Sequence, residues 1–294
     1  MTERRLVLPT KSTNVRVFIA AALLTVAGSA HAQWPAEDLS YGSAAMSLTA
    51  LREGSRHAAA GRWSEARRAF ETAILADPSS ALAHYNLGVV LVALNFRDAA
   101  LAAYREALRR DPHLVEARVN LGVELSKSGR YSEAFEALAR AARQAPKLAV
   151  AQHNLGVVLG QLGRLDEAAQ TLERAAALSP GAAIIRRALA EAHFNLGVAL
   201  GRRGAWNLAV NRYQRALRGE PDFVEARFNL AVSLAALDRH AEALAACRQA
   251  LVTKPDFVRA KQLLLSLQGA GARLLYAELM LPQRPPALAE FGRD

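Results

Sequence analysis

The stretch AVAQHNLGVVLGQLGRLDEAAQTLERAAALSPGA, residues 149–182, contains every feature that predicts the fold of this chain. It holds Asn-Leu-Gly at 154–156, Gly163, two alanines seven residues apart and Pro180 near its end. Prolines in this place recur at Pro78, Pro112, Pro146, Pro180, Pro221 and Pro255. Four of the five intervals are identical and define the repeat period, and the interval from Pro180 to Pro221 is longer by seven residues. A fixed period of about 34 residues is typical of stacked repeats rather than one globular core, and it favours binding over catalysis.

Further columns of residues recur in step with the prolines. Asn-Leu-Gly stands at 86–88, 120–122, 154–156 and 195–197, and Asn-Leu-Ala at 229–231. Two alanine columns flank a column of mostly bulky apolar residues. The first alanine column is Ala66, Ala100, Ala134, Ala168, Ala209 and Ala243, and the second is Ala73, Ala107, Ala141, Ala175, Ala216 and Ala250. The residues between them are Phe70, Tyr104, Leu138, Leu172, Tyr213 and Cys247.

These columns predict a helix–turn–helix unit. Leu87, Gly88 and Leu91 lie at helical spacing and form one buried stripe, in which the glycine allows a second helix to approach closely. A further column is expected where the first helix ends, because glycine accepts the left-handed conformation of a helix C-terminus. That column is Gly61, Asn95, Gly129, Gly163, Gly204 and Asp238, and Asn and Asp tolerate the same conformation. Each proline then ends the second helix.

The pattern resembles the tetratricopeptide repeat family. The resemblance implies an all-α fold, a right-handed superhelical α-solenoid of about six helix–turn–helix repeats with a C-terminal capping helix. The repeats are 47–80, 81–114, 115–148, 149–182, 190–223 and 224–257. The first repeat departs most, with Arg52-Glu53-Gly54 in place of Asn-Leu-Gly, which suits a terminal repeat. Residues 258–268 predict the capping helix, and 258–294 hold this helix and a Pro-rich tail.

The N-terminal residues predict a secretory signal peptide over 1–32. Basic residues are followed by the apolar stretch 17–28, and Ala30-His31-Ala32 forms a small-x-small cleavage site before Gln33. An uncleaved anchor is the alternative, although the apolar stretch is shorter than a membrane-spanning helix requires. Residues 33–46 are then an N-terminal linker. We expect a periplasmic or secreted bacterial protein.

The net charge of +10 limits the choice of partner. Removal of residues 1–32, which hold four Lys/Arg and one acidic residue, leaves +7. Nucleic acid is not an expected partner of an exported protein, and the interspersed acidic residues favour a merely solvated surface. A third function class, binding of envelope polysaccharide or anionic lipid, would use Arg67-Arg68 and Arg109-Arg110 on second helices. No apolar run reaches the roughly 20 residues of a transmembrane span.

The resemblance places a ligand groove along the first helix of each repeat. The candidate peptide-binding residues there form three columns. They are Asn86, Asn120, Asn154, Asn195 and Asn229; Val89, Val123, Val157, Val198 and Val232; and Tyr85, Val119, His153, Phe194 and Phe228. A carboxamide can pair with a peptide group through both a donor and an acceptor, and a similar asparagine ladder holds polypeptide in O-linked N-acetylglucosamine transferases. The alternative is that these asparagines face solvent or brace a neighbouring helix.

Other binding and catalytic sites are not expected. A carboxylate clamp would need a second asparagine where the column is all valine, and only Lys127 and Arg202 are basic on that edge of the first helices. The histidines lack metal-ligand spacing, and no phosphate loop, nucleophile elbow or Rossmann fingerprint occurs. We therefore expect no enzyme activity, no metal and no cofactor. Cys247, the single cysteine, falls at a core position and is interpreted as a buried apolar residue.

Two segments interrupt or follow the array. Seven extra residues at 183–189 equal about two helical turns, so the fifth repeat's first helix can lengthen without rotating its buried face. They form either an interaction knob or an insertion that packs on its neighbour. Residues 272–281 form a short amphipathic stretch ahead of Pro282, Pro285 and Pro286. That stretch either folds back on the capping helix or serves as a docking or self-association segment.

The predicted function is that of a non-catalytic scaffold of the bacterial cell envelope. It would hold an extended polypeptide of another protein in the concave groove. The alternative is a structural or oligomerising subunit that uses the convex face and the C-terminal tail.

Overall fold

The computed structural model describes residues 39–269, and this range is built of α-helices joined by short turns. The expected signal peptide, the first part of the linker and the Pro-rich tail lie outside the described residues. The helices within the range are α1 (Leu39–Ala59), α2 (Trp63–Ala76), α3 (Ala81–Ala93), α4 (Arg97–Arg110), α5 (Val115–Lys127), α6 (Tyr131–Gln144), α7 (Ala149–Gln161), α8 (Leu165–Leu178), α9 (Ala183–Arg202), α10 (Trp206–Gly219), α11 (Val224–Ala236), α12 (His240–Thr253) and α13 (Val258–Gln268).

Each repeat is a helical hairpin whose turn has the expected left-handed residue. Its φ angle is 71° at Gly61, 74° at Gly129 and Gly163, and 73° at Gly204. The two replacements adopt the same conformation, with φ of 63° at Asn95 and 58° at Asp238. The prediction that this column ends the first helix is confirmed. The pairs are α1–α2, α3–α4, α5–α6, α7–α8, α9–α10 and α11–α12, and α13 follows them.

The described residues fall into two compact units, the first ending at Ala145 and the second beginning at Pro146. The first unit contains α1 to α6, and its largest fully buried side chains include Tyr85 and Tyr104. The second contains α7 to α13 and buries Tyr213 and Phe228 in the same way. In both units the core is a single layer of side chains between the paired helices. This arrangement places the protein in the class of all-α helical repeats.

The glycine of the Asn-Leu-Gly column is required by the bulky column of the second helix. A methyl group on Gly88 would lie 2.6 Å from the ring of Tyr104, closer than two carbon atoms pack. The other repeats show the same geometry, with nearest distances of 2.5–2.7 Å. The pairs are Gly54–Phe70, Gly122–Leu138, Gly156–Leu172 and Gly197–Tyr213. The sixth repeat has Ala231 and Cys247 in these two columns, both fully buried, so a smaller partner accompanies the extra methyl.

A second contact ties each first helix to the proline before it. His84 Nε2 donates to the Pro78 carbonyl at 3.2 Å. Gln152 Nε2 donates to the Pro146 carbonyl at 3.3 Å, again six residues back. Arg118 and Arg227 donate in the same way to the carbonyls of the prolines six residues before them, Pro112 and Pro221. The proline carbonyl, which stands outside the regular helices, is therefore satisfied inside the repeat.

The seven extra residues lengthen one helix. Helix α9 has 20 residues, whereas α3, α5, α7 and α11 have 13 each. In the added turns Ile185 and Ala188 are buried, and Arg186 pairs with Glu220 at the end of α10. Ile184 is 60 % exposed. The extension therefore packs on the neighbouring helix of its own unit while offering one apolar side chain to solvent.

Helix α1 is longer than the repeat pattern predicts. It begins at Leu39, so residues 39–46, which the sequence analysis assigned to a linker, are helical. No column of the repeat marks these residues because they precede its first position. The helix has 21 residues and carries Ser47, whose Oγ donates to the Ala73 carbonyl at 3.0 Å.

Candidate functional site

The candidate site is the asparagine–valine stripe, defined as the Asn and Val columns on the first helices. Its members are Asn86, Val89, Asn120 and Val123 in the first unit, and Asn154, Val157, Asn195, Val198, Asn229 and Val232 in the second. Each Asn precedes its Val by three residues, so the two lie on one helix face. What decides whether a ligand can reach this stripe is the exposure of each side chain.

The asparagines differ in exposure and in hydrogen bonding. Asn86 and Asn195 are buried at 8 % exposure, and Oδ1 of Asn195 has no partner in the described structure. Asn120, Asn154 and Asn229 are half-buried. These three side chains are the ones within reach of a ligand in this conformation.

Part of the column has a structural role. Asn120 Nδ2 donates to the Tyr85 hydroxyl at 3.3 Å, across neighbouring repeats of the first unit. Burial raises the pKa of Tyr85 and of Tyr104 above the ordinary tyrosine value. Asn154 Nδ2 instead donates to the Val150 carbonyl of its own helix at 2.9 Å. Bracing a neighbour, the alternative left open by the sequence, therefore describes Asn120.

The valine column divides in the same way. Val89 and Val232 are buried at 3 % and 1 % exposure. Val123, Val157 and Val198 are half-buried. Three apolar side chains of the stripe are thus partly open to solvent, one in the first unit and two in the second.

The column before each Asn lies mostly in the core. Tyr85 and Phe228 are 1 % exposed, and Val119 and Phe194 are 5 % exposed. The Phe194 ring packs 4.8 Å from that of Phe223, and the Phe228 ring 5.1 Å from that of Phe257. Each column residue stands three residues before the buried glycine or alanine of its helix, hence on the core side. Four of these five candidate peptide-binding residues therefore pack inside the array, and in this conformation their side chains are closed to solvent.

His153 is the exception in that column. It is half-buried, and its Nδ1 has no partner within the described range. Burial lowers the pKa of its imidazole to about 4, so the side chain is neutral at pH 7. A neutral imidazole with one unpaired nitrogen can donate or accept one further hydrogen bond.

The first unit also contains a buried carboxylate, on the helix of Asn120 one turn further on. Glu124 is 4 % exposed, at a place where two other repeats have Val90 and Val158. Its carboxylate pairs with Lys127 Nζ at 2.7 Å and with Arg97 Nε at 3.3 Å. Both cations are partly exposed, so the triad places positive charge at the surface beside the stripe. Sequence reasoning missed this group because Glu124 replaces a valine in one repeat only.

The second unit holds a charged cluster where the proline contact is interrupted. His193 occupies the place of His84 and Gln152, but the extension of α9 moves Pro180 two helical turns further from it along the chain. Its Nε2 lies 3.5 Å from Glu173 Oε1, which Arg215 Nη1 contacts at 3.0 Å. Burial, with Arg212, Arg215 and Arg218 nearby, lowers the pKa of His193 to about 4. The α9 extension thus gives this side chain a charged partner instead of a proline carbonyl.

Three further properties of the described residues concern metal binding, the single thiol and membrane insertion. Within 39–269 no group of three or more His, Cys, Asp or Glu side chains is placed to hold a metal ion. Burial raises the pKa of the Cys247 thiol to about 12, which keeps it protonated and unreactive at neutral pH. None of the helices in this range combines the length and apolarity that crossing a membrane requires.

The helices pair through a turn with a left-handed residue, a glycine packs against a bulky partner, and a stripe runs along the first helices. These features together define a helical-repeat protein of the binding class. One family model described as tetratricopeptide repeat matches residues 51–95, 90–149 and 194–256, and a second model with the same description matches 147–219. The chain belongs to the tetratricopeptide repeat family. No curated protein sequence matches it significantly.

Solved structures of this family are similar to the chain. YrrB, described as a TPR protein with an unusual peptide-binding site, has a TM-score of 0.54 at 26 % identity, over 67 % of this chain and 97 % of its own. PilF of Pseudomonas aeruginosa has a TM-score of 0.52 at 21 % identity, over 75 % and 97 %. MamA has a TM-score of 0.50 at 22 % identity, over 60 % and 93 %. The last two likenesses show the fold alone.

Proposed function

We propose that the protein is an exported scaffold of the bacterial envelope that binds an extended segment of another protein along the asparagine–valine stripe. The observation that carries the proposal is the set of half-buried carboxamides and valines on first helices, above all Asn154, Val157 and Asn229. Proteins of this family act as protein-binding scaffolds, and YrrB, at 26 % identity, is described as having a peptide-binding site.

The chemistry of the stripe suits a peptide backbone. Asn229 makes no side-chain hydrogen bond within the described residues, so it keeps a donor and an acceptor for a ligand. Asn154 donates one side-chain N–H to the Val150 carbonyl, and its Oδ1 and second N–H remain available to a ligand. Val157 follows Asn154 by one helical turn and provides apolar contact for side chains of the ligand. Recognition through backbone groups depends little on the ligand's sequence.

A matched pair of variants tests this proposal. Asn154→Ala with Asn229→Ala removes carboxamides from the stripe, whereas Gln170→Ala with Asn211→Ala removes exposed carboxamides from the second helices α8 and α10. Binding is measured by fluorescence anisotropy with labelled short unstructured peptides. Because each net hydrogen bond contributes about 0.5–1.5 kcal/mol, we expect roughly tenfold weaker binding for the first variant and unchanged binding for the second. Equal affinities for the two variants would contradict the proposal.

The location is tested separately. We expect the mature chain to begin at Gln33 and to be found in the periplasmic or extracellular fraction. N-terminal mass spectrometry of the expressed protein measures the first point, and cell fractionation the second. A chain that keeps Met1 and stays with the cytoplasmic fraction would refute the export part of the proposal and leave the binding part standing.

A second candidate function is that of a structural or oligomerising subunit. It is favoured by exposed apolar residues on second helices, namely Leu75 at 82 %, Leu208 at 59 % and Val252 at 81 %. Leu75→Glu and Val252→Glu would then abolish assembly while peptide binding by the stripe is retained. Light scattering of the purified chain measures the assembly.

A further inference from the structure

The outer face of α13 carries two large apolar residues that are open to solvent. Val258 is 62 % and Leu265 is 68 % exposed, although they lie in the last helix of the described range. The opposite face is buried, with Ala260 and Leu263 at 0 % exposure in the cluster that also holds Phe228 of α11 and Cys247 of α12. Two exposed side chains seven residues apart form one stripe along the helix.

Leu265 occupies the place that faces the second helix in five preceding repeats, and Val258 occupies a place that faces it in the first repeat. Val258 stands one repeat period after Val224 and in the register of Ser47, whose hydroxyl bonds the Ala73 carbonyl of its own second helix. Leu265 stands one repeat period after Ala231, in the register of the glycine column. The glycines of that column all face the bulky residue of their own second helix; they are Gly54, Gly88, Gly122, Gly156 and Gly197. The exposed stripe of α13 is therefore the face on which a second helix packs elsewhere in the chain.

Three places in the sequence that follows α13 match the repeat register. Four second helices are preceded by Arg and have Ala four residues later. The pairs are Arg62–Ala66, Arg130–Ala134, Arg164–Ala168 and Arg239–Ala243. Arg273 and Ala277 stand one repeat period after the last of these pairs, and Leu281 stands one period after Cys247 of the bulky column. Pro282 then follows at once and limits a helix here to about two turns.

We propose that residues 273–281 form the second helix of a truncated seventh repeat, which docks on the Val258–Leu265 stripe of α13. In this arrangement α13 is the first helix of a repeat and not the terminal cap. Leu281 packs on Leu265, with Ala277 between the helices. Because Leu265 replaces a glycine, this pair of helices lies further apart than the pairs of the six full repeats. The occupant of the stripe is a segment of the same chain, held next to it by the four-residue connection 269–272.

A disulfide cross-link tests the register. In a Cys247→Ala background, Leu265→Cys with Leu281→Cys places two thiols at the predicted contact, and a disulfide forms only when the Cβ atoms come within about 4.5 Å. The control pair is Leu265→Cys with Leu275→Cys. Leu275 stands one repeat period after Ala241, an exposed place on the outer side of the second helix. Both pairs are oxidised in the otherwise full chain and read by peptide mass spectrometry.

We expect an intramolecular disulfide in the test pair, formed at least tenfold faster than in the control pair. Equal rates in the two pairs would overturn the proposed docking. Disulfide-linked dimers would overturn it in favour of a second copy of the chain on the same stripe. A chain ending at Gly269 provides an independent measurement: we expect amide exchange in α13 to become at least tenfold faster, and unchanged exchange would contradict the proposal.

Discussion

Replacing Gly156 with alanine adds one methyl group to α7 where the second helix is closest. The new carbon would lie 2.6 Å from Leu172 Cγ and 3.3 Å from the Ala168 carbonyl oxygen. Cγ is the branch point of a side chain that is 1 % exposed, and the second contact is backbone, so neither neighbour can move away without shifting a helix. Overpacking of this kind costs about 1–3 kcal/mol, while alanine gains about 1 kcal/mol over glycine in a helix interior. We expect a net loss of up to about 2 kcal/mol in the free energy of unfolding.

A second substitution should recover part of that loss. Gly156→Ala with Leu172→Cys imports the pair Ala231–Cys247 that the sixth repeat already contains. Leu172→Cys alone should cost about 2–3 kcal/mol, because it removes buried apolar atoms. In the double variant the methyl fills part of that space, so its loss should be smaller than the sum of the single losses by about 1 kcal/mol or more.

Urea unfolding followed by circular dichroism measures the four free energies of this cycle. Gly42→Ala is the control, because Gly42 lies in α1 with no atom within 4 Å of the added methyl. It should be stabilised by about 0.5–1 kcal/mol through helix propensity alone. Two results would refute the reasoning: a Gly156→Ala protein stabilised as much as the control, or single losses that add within about 0.5 kcal/mol.

Three further predictions concern stability. The pKa of His193 is about 4 in the folded protein and 6.5 in the unfolded chain. Between these two values the unfolded state binds more protons than the folded state. The free energy of unfolding therefore falls as the pH is lowered from 6.5 to 4. We expect His193→Asn to remove about 2 kcal/mol of the loss between pH 7 and pH 5, measured by urea unfolding at both values; an unchanged pH dependence would contradict it. Asp238→Gly relieves a φ of 58° and should raise the melting temperature, whereas Gly163→Ala, at a φ of 74°, should lower it. A change of the same sign in both variants would argue against backbone strain at these turns. Ser80 caps α3, because its side chain accepts a hydrogen bond from the Ala83 N–H at 3.3 Å. Ser80→Ala should therefore lower the free energy of unfolding, measured in urea, by about 1 kcal/mol, and Ser79→Ala, outside the cap, should lower it less. Equal losses in the two variants would argue against the cap.

The hairpins could be predicted from the sequence because few residue types satisfy their geometry. A left-handed turn accepts Gly, Asn or Asp, and these residues stand at all six turns of the described range. A close helix contact accepts glycine or a small pair such as Ala231 with Cys247. The long proline interval, from Pro180 to Pro221, corresponds to the lengthened helix α9. Steric exclusion therefore restricts the residue types at these positions strongly enough for the sequence to predict them.

The polar contacts were harder to predict from the sequence. The donors to a proline carbonyl are of three residue types, because any long donor reaches that oxygen; they are His84, Arg118, Gln152 and Arg227. The exposure of the stripe was equally hard to predict. Adjacent residues of a helix are rotated by about 100°, which places Phe228 in the core and its neighbour Asn229 at the edge. The helical residues 39–46 carry no repeat column at all.

The measurement that tests the central claim most directly is site-specific photo-cross-linking. A benzoylphenylalanine replaces Gln161, which follows Asn154 by two helical turns on α7, or Gln170 on the exposed face of α8, and each protein is irradiated with its labelled peptide ligand. We predict cross-linked peptide from residue 161 and none above background from residue 170. Cross-links from residue 170 alone would show that the ligand lies on the second helices, and binding along the asparagine–valine stripe would be refuted.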